Sequence, residues 1–215
     1  MTSGGYQVLS QQPDFADQVS IAAARASSLG GFGQARRYAV WPGKDAVHSL
    51  AARYVLRGAE IAAMESFHAD HCGSWRAFLL PSWVSELANG ETNATTTTVG
   101  PATLAIDYCD YANTWGKDLD DGKLGRFVFV LYPDGELAVR RVSGVASSAP
   151  GDKDVLAVDS GWPQAIVPGD GCLIGFAYLV RFLSDALELE FSGLAQAACD
   201  LAFVQALVSV PEADA

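Results

Sequence analysis

The stretch that decides the fold class of this 215-residue chain is Gly125-Arg-Phe-Val-Phe-Val-Leu-Tyr132, Pro133-Asp-Gly135, Glu136-Leu-Ala-Val-Arg-Arg-Val142. Two runs rich in β-branched and aromatic residues flank a Pro-Asp-Gly turn, and this pattern predicts a β-hairpin. Further turn signals follow at Pro150-Gly-Asp152 and Pro168-Gly-Asp-Gly171. Short strands separated by turns rich in Gly, Pro and Asp predict a mainly β fold.

Outward from the hairpin, the sequence predicts more strands and one clear helix. The helix is Ala59 to Cys72, because apolar residues recur there at helical spacing and Gly73 is a natural stop. Leu194 to Val208 fits either type of element, since its Ala-rich start favours a helix and its later residues permit a strand. The other predicted strands are several short ones in residues 6–57, among them Val47–Leu56, then Trp75–Pro81, Thr103–Tyr108, Phe176–Leu183 and Ala186–Phe191.

The composition indicates a folded chain and excludes several classes of protein. Half of the residues are apolar and 18% are charged, which excludes disorder over most of the chain. The sequence has no run of 18 apolar residues, the length that a membrane span would need. Residues 1–5 lack the basic and apolar regions of a signal peptide. Four cysteines without a C-x-x-C pair predict free thiols, mostly buried, in a protein made in the cytosol.

The charge excludes another group of functions. A net charge of −11 and a pI near 4.5 argue against specific nucleic-acid binding, which needs a basic surface. They also argue against docking on anionic membranes. The acidity is uneven, because residues 1–90 have net charge 0, residues 91–175 have −6 and residues 176–215 have −5. The net negative charge therefore belongs to the second half of the chain.

Two segments have some features of a metal site, and neither is complete. His68 and His71 share a helical face next to Cys72, but a zinc site needs three or four converging ligands, and the H-E-x-x-H spacing is missing. Asp118-Leu-Asp-Asp-Gly122 resembles a calcium loop, but it lacks oxygen ligands at the first and twelfth loop positions. We therefore predict no metal ion.

Motifs for phosphate binding and catalysis are also incomplete. Gly30-Gly-Phe-Gly33 lacks the Gly-Lys-Ser/Thr ending of a phosphate loop, and no G-x-S-x-G motif is present. Glu188 and Glu190 could in principle form the acid pair of a glycosidase. Acids that alternate with apolar residues are, however, typical of the solvated face of a strand. The sequence therefore predicts no catalytic residues and no cofactor.

Two segments of the chain resemble the distal tail protein family of long-tailed, siphovirus-like bacteriophages and gene transfer agents. The first is Phe67-His-Ala-Asp-His-Cys-Gly-Ser-Trp-Arg-Ala-Phe-Leu-Leu-Pro-Ser-Trp83, in which an aromatic-bearing helix precedes a Gly turn, a strand and a Trp. The second is Val180-Arg-Phe-Leu-Ser-Asp-Ala-Leu-Glu-Leu189, which is similar to the family's closing pattern of Arg-Phe, a Ser/Thr-Asp turn and an alternating strand. Where the family commonly has a more basic turn, this chain has His71-Cys72.

The resemblance implies a structural virion protein that is not an enzyme. Such a protein forms a ring, typically a homohexamer, that joins the tail tube protein to the tail-tip hub or baseplate. It would lie at the distal end of the phage tail after synthesis in the host cytoplasm. DNA would pass through the lumen, and an acidic lining that includes Glu188, Glu190 and Asp200 would repel it.

The resemblance also implies an architecture. Residues 1–89 with 178–215 would form the ring-forming β domain, a β-sandwich or tube-like domain with one packed α-helix. Residues 90–177 would form a small inserted β domain that faces outward.

Other classes of function stay open. One is a carbohydrate-binding module of the tail tip that contacts the host surface, with Trp115, Trp162 and Tyr111 as glycan contacts. The five tryptophans of the chain are also the usual residues of cores and interfaces. Another alternative is a different minor tail or tail-completion protein. A small tail-associated hydrolase is a further one, although no catalytic motif supports it.

Overall fold

The chain forms two compact units, each built from separate stretches of sequence. The computed structural model describes residues 2–3, 5–16, 19–24, 28–31, 37–40, 47–87, 103–115, 127–146, 153–166 and 171–206. The hairpin unit comprises Met1–Gln12, Ala77–Val180 and Val208–Ala215. The helix unit comprises Pro13–Arg76 and Arg181–Leu207. The division into a ring domain of 1–89 with 178–215 and an inserted domain of 90–177 stays a prediction.

Strands dominate both units, which confirms the predicted mainly β fold. No helix within the described ranges is long and apolar enough to cross a membrane. The elements in chain order are β1 (Thr2–Ser3), β2 (Tyr6–Gln7), β3 (Ser20–Ala24), β4 (Ser28–Gly31), β5 (Arg37–Val40), β6 (Val47–Arg57), α1 (Ala59–Asp70), β7 (Phe78–Pro81), β8 (Thr103–Asp107), α2 (Tyr111–Trp115), β9 (Phe127–Leu131), β10 (Leu137–Ala146), β11 (Lys153–Val158), β12 (Leu173–Phe182), β13 (Glu190–Phe191) and β14 (Gln196–Gln205).

The main sheet of the hairpin unit is antiparallel, in the order β7-β12-β9-β10-β11-β8. The predicted hairpin is confirmed, because β9 pairs with β10 and Leu131 lies opposite Leu137. Its turn is closed by the Tyr132 N–H, which donates to the Glu136 carbonyl at 2.8 Å. Gly135 has a φ of +87°, which a glycine adopts without strain.

Strand β9 is buried on both faces, and this explains its unbroken apolar sequence. Val128 and Val130 belong to a core cluster on one face of the sheet. Phe127 and Phe129 belong to a second cluster on the opposite face. Successive side chains of a strand point to opposite faces, so a strand between two cores has no polar alternation.

The helix unit contains an antiparallel sheet in the order β3-β6-β14, with β13 paired to β14. Residues 196–205, in the segment that fits either a helix or a strand, form β14, which pairs with β6 over nine residues. Helix α1 packs through Phe67 onto Phe182, and Phe182 packs onto Phe203 of β14, with ring centroids 6.3 and 5.5 Å apart. This chain of aromatic contacts joins the helix to the sheet.

The predicted strand Ala186–Phe191 is wrong over most of its length. Only Glu190 and Phe191 form a strand, and they pair with Ala198 and Ala197. The residues before them follow a turn at Asp185, whose carboxylate accepts hydrogen bonds from Ser74. This long-range contact fixes the start of the segment, and the local alternation of Leu and Glu does not reveal it.

Helix α1 ends two residues earlier than predicted, and Gly73 explains how the chain turns there. Gly73 has a φ of +63°, and its N–H donates to the His68 carbonyl at 3.1 Å. A Cβ at this position would lie 2.8 Å from the Asp185 Cα, closer than real Cβ atoms approach backbone. Glycine is therefore required both by the conformation and by the close approach of residue 185.

We expect Gly73→Ala to lower the free energy of unfolding by about 1–3 kcal/mol, because it combines a left-handed alanine with a clash against backbone. Gly171→Ala is the control, since Gly171 has a similar φ of +74° and a Cβ there would have nothing within 4 Å. Urea denaturation of both variants would separate the two contributions. Equal losses in the two variants would show that the contact with residue 185 contributes nothing.

Candidate functional site

The histidines of helix α1 take part in aromatic packing. His71 is 4% exposed, its Nδ1 lies 2.7 Å from the Phe67 carbonyl oxygen, and its ring stacks on Phe67 at 4.2 Å. The His68 ring lies 4.8 Å from that of Phe182, whereas Cys72 is exposed. Among the described residues, no group of three or more His, Cys, Asp or Glu side chains could hold a metal ion. These residues therefore complete the end of the helix.

Burial lowers the pKa of His71, and the hydrogen bond to the Phe67 carbonyl opposes that shift. The unfolded chain then binds this proton more tightly than the folded protein does, so stability should fall as the pH drops below about 6.5. We expect a lower free energy of unfolding at pH 5.5 than at pH 7.5, measured by urea denaturation. His71→Phe keeps the stacked ring and should reduce this difference; an unchanged difference would contradict the assignment to His71.

Two of the partly or fully buried cysteines are poor nucleophiles. Burial, reinforced by the Asp154 carboxylate, raises the pKa of the Cys109 thiol to about 12. Burial, reinforced by Asp200, raises the pKa of the Cys199 thiol to about 11. Since the thiolate is the reactive form, both thiols stay protonated and unreactive at neutral pH.

The structure describes the side chains of two of the three proposed glycan contacts, Tyr111 and Trp162, both in the hairpin unit. Tyr111 is fully buried, and its ring lies 6.2 Å from Phe176 in the core, so it offers no face to a sugar. Trp162 is half-buried, its Nε1 donates to the Thr103 carbonyl at 3.1 Å, and the Arg140 guanidinium lies 5.7 Å from its ring centroid. Trp115 ends helix α2, and its side chain lies outside the described residues.

The remaining candidate motifs have the following positions. Gly30 and Gly31 end strand β4, and the rest of that glycine-rich stretch lies outside the described residues. The acidic turn of residues 118–122 also lies outside them. Of the acid pair, Glu190 lies 3.9 Å from Arg53. Glycan binding and the absence of catalytic residues therefore stay predictions.

Exposed apolar side chains are concentrated in the helix unit. Six large apolar side chains are exposed among the described residues, and only Val84 belongs to the hairpin unit. Trp75 is 80% exposed, although a tryptophan is one of the side chains that gain most from burial. The other four exposed apolar side chains of the helix unit are Phe15, Leu183, Phe191 and Leu194. Such a concentration is typical of a protein–protein contact surface.

The two units also differ in charge. The helix unit has eight Lys/Arg and ten Asp/Glu residues, a net charge of −2. The hairpin unit has six and fifteen, a net charge of −9. The apolar surface therefore belongs to the unit in which electrostatic repulsion between copies is weakest.

One face of the helix-unit sheet carries a shallow groove. In the β6–β14 register, Ala51 lies opposite Ala202 and Arg53 lies opposite Asp200. Ser20 of β3 lies opposite Ala51. The groove has a volume of about 500 Å³, and apart from the ion pair of Arg53 with Asp200 the residues on this face are serine and alanine. Its lining includes Ser20, Ala51, Arg53, Asp200 and Ala202.

The chain matches no protein-family model and no curated protein. The function proposed below is therefore inferred from the residues and the geometry described above. The sequence did not single out the groove or the exposed Trp75, because exposure depends on which side chains the fold covers. The sequence predicted Trp75 only as the start of a strand, whereas it lies in the turn before β7.

Proposed function

We propose that this protein is a structural subunit of a phage-type tail. Copies of it would form a ring, a homohexamer, at the distal end of the tail, between the tail tube protein and the tail-tip hub or baseplate. The protein would act by assembly and would have no enzymatic activity. The resemblance of residues 67–83 and 180–189 to distal tail proteins motivates the proposal.

The observation that carries the proposal is the concentration of exposed apolar side chains in the helix unit. Leu183 and Phe191 are 62% and 64% exposed in a single copy. Their burial against other copies would remove apolar surface from water at about 25 cal/mol per Å². The unit that holds them also contains both resembling segments, apart from residues 77–83 and Val180.

The acidic hairpin unit fits the same function. Its net charge of −9 would keep an assembled particle soluble and would disfavour stacking through that unit. Association through the helix unit, whose net charge is −2, is opposed by much weaker electrostatic repulsion. A ring of this kind would expose the acidic hairpin units to solvent and bury the apolar side chains of the helix units between copies.

Native mass spectrometry over a concentration series tests the proposal. We expect an assembly of six copies of the 22.7 kDa chain, whose fraction rises with concentration. Leu183→Lys should lower that fraction at equal concentration. Val84→Lys, which changes the exposed apolar residue of the hairpin unit, should leave the fraction unchanged. A closed dimer as the largest species, up to the solubility limit, would contradict the ring.

A further inference from the structure

Trp75 is held in an exposed position by contacts on both sides of the turn that carries it. The Ser74 N–H and Oγ donate to one oxygen of Asp185 at 2.8 and 2.5 Å. The Arg76 N–H donates to the His71 carbonyl at 3.0 Å. The backbone on each side of the indole is therefore fixed before any partner arrives. An anchor that is already ordered loses little conformational entropy on binding.

The groove on the sheet face is complementary to this turn in shape. Ala51 and Ala202 leave space above the sheet, and the groove volume of about 500 Å³ lies in the range that accepts a bound aromatic group. Large side chains on a solvated strand face would normally fill this space. Arg53, the one long side chain of the lining, is held by Asp200 at 3.4 Å and by Glu190 at 3.9 Å.

The two surfaces are also complementary in charge. Arg76 follows Trp75 directly, is exposed, and would arrive at the groove with the indole. Asp200 lines the groove and Glu190 lies beside it, and among the described residues both carboxylates pair with the same arginine, Arg53, which leaves an excess of negative charge there. Both carboxylates are mostly exposed, with side chains 71% and 80% accessible. A cation placed beside them would gain more than it would from either carboxylate in isolation.

We infer that Trp75 of one copy inserts into the groove between β3, β6 and β14 of the next copy, with Arg76 beside Asp200 and Glu190. The inference rests on the proposed ring and names the contact that builds it. The turn that carries Trp75 and the groove are different surfaces of the helix unit, so the contact is head-to-tail. Contacts of this kind close into rings when the rotation between copies allows it.

Crosslinking between two variants that each gain one exposed cysteine tests this contact, while Cys109, Cys172 and Cys199 stay in place, partly or fully buried. Both variants carry Cys72→Ser, because Cys72 is an exposed thiol three residues from Trp75. One variant adds Arg76→Cys, which keeps the indole of Trp75, and the other adds Ala202→Cys, and a short bismaleimide joins the two thiols. We expect a crosslinked dimer when the two variants are mixed and none from either variant alone. Replacement of Ala202→Cys by Val84→Cys, an exposed site of the hairpin unit, should abolish the dimer.

A second measurement does not depend on cysteine chemistry. Trp75→Ala should weaken self-association by about tenfold or more, since buried aromatic anchors dominate interface energies. Val84→Ala, at an exposed apolar residue of the hairpin unit, should change it by less than about threefold. Six-fold rings without a crosslink between positions 76 and 202 would overturn this inference and leave the proposed function standing. A chain that never assembles would overturn both.

Discussion

Gly175→Ala should lower the free energy of unfolding by about 3 kcal/mol or more. Gly175 lies in β12 opposite Phe129 of β9, and the segment after β7 crosses directly over it. A Cβ at this position would overlap the Val84 carbonyl oxygen and lie 2.9 Å from Cε1 of Phe129. The carbonyl is backbone, so the crossing segment has to move as a whole.

Glu86 explains why that movement is costly. Its Oε2 accepts hydrogen bonds from the Ser82 hydroxyl and the Phe176 N–H, both at 2.8 Å. Its Oε1 accepts one from the Tyr178 hydroxyl at 3.1 Å. A shift of the segment would break several of these bonds to a charged group, each worth about 1.5–3 kcal/mol.

The control for Gly175 is Gly144→Ala, at a glycine in strand β10 of the same sheet. A Cβ at Gly144 would meet only Ala157, at an ordinary 3.8 Å. We expect Gly144→Ala to change stability by less than about 1 kcal/mol in either direction. Urea denaturation of both variants gives the comparison. A Gly175→Ala protein as stable as Gly144→Ala would show that the crossing segment is loosely held.

Asp154→Ala should destabilise the protein by about 2–5 kcal/mol. Asp154 is fully buried in β11, and its Oδ2 accepts hydrogen bonds from the N–H groups of Cys109 and Tyr111, both at 3.0 Å. Truncation would leave these two donors without the acceptor that now satisfies them. The short helix α2 should then lose its fixed start, because Tyr111 is its first residue.

Two variants separate this capping role from a general effect of charge. Asp154→Asn keeps a carbonyl oxygen and should lose clearly less stability than Asp154→Ala. Asp107→Ala removes a half-buried carboxylate from the neighbouring strand β8 and should change stability by about 0.5 kcal/mol or less. Hydrogen exchange at Tyr111 gives a local readout. Unchanged protection of that amide in Asp154→Ala would contradict the cap.

The sequence predicted the elements that are determined locally and missed those that depend on distant contacts. The central hairpin is local, since its turn chemistry and its β-branched runs lie within 18 residues. Helix α2 was not predicted, because it has five residues and its cap comes from Asp154, more than 40 residues away. Strand β14 was ambiguous because its Ala-rich start favours a helix, whereas pairing with β6 makes it a strand.

The candidate site shows the same limit. Gly73 was predicted as a helix stop, yet its second role depends on Asp185, which lies 112 residues later. Tyr111 was predicted as a surface contact, and the structure buries it completely. The predicted acidic lumen included Glu190 and Asp200, and both pair with Arg53, which lines the groove that we assign to a contact between copies.

Negative-stain electron microscopy of the purified chain at high concentration tests the central claim most directly. We predict class averages with six-fold symmetry and a central hole, and we predict that Trp75→Ala reduces their number while the variant stays folded. Two-fold particles without a hole, or single copies at every concentration that the protein tolerates, would contradict a ring-forming tail subunit.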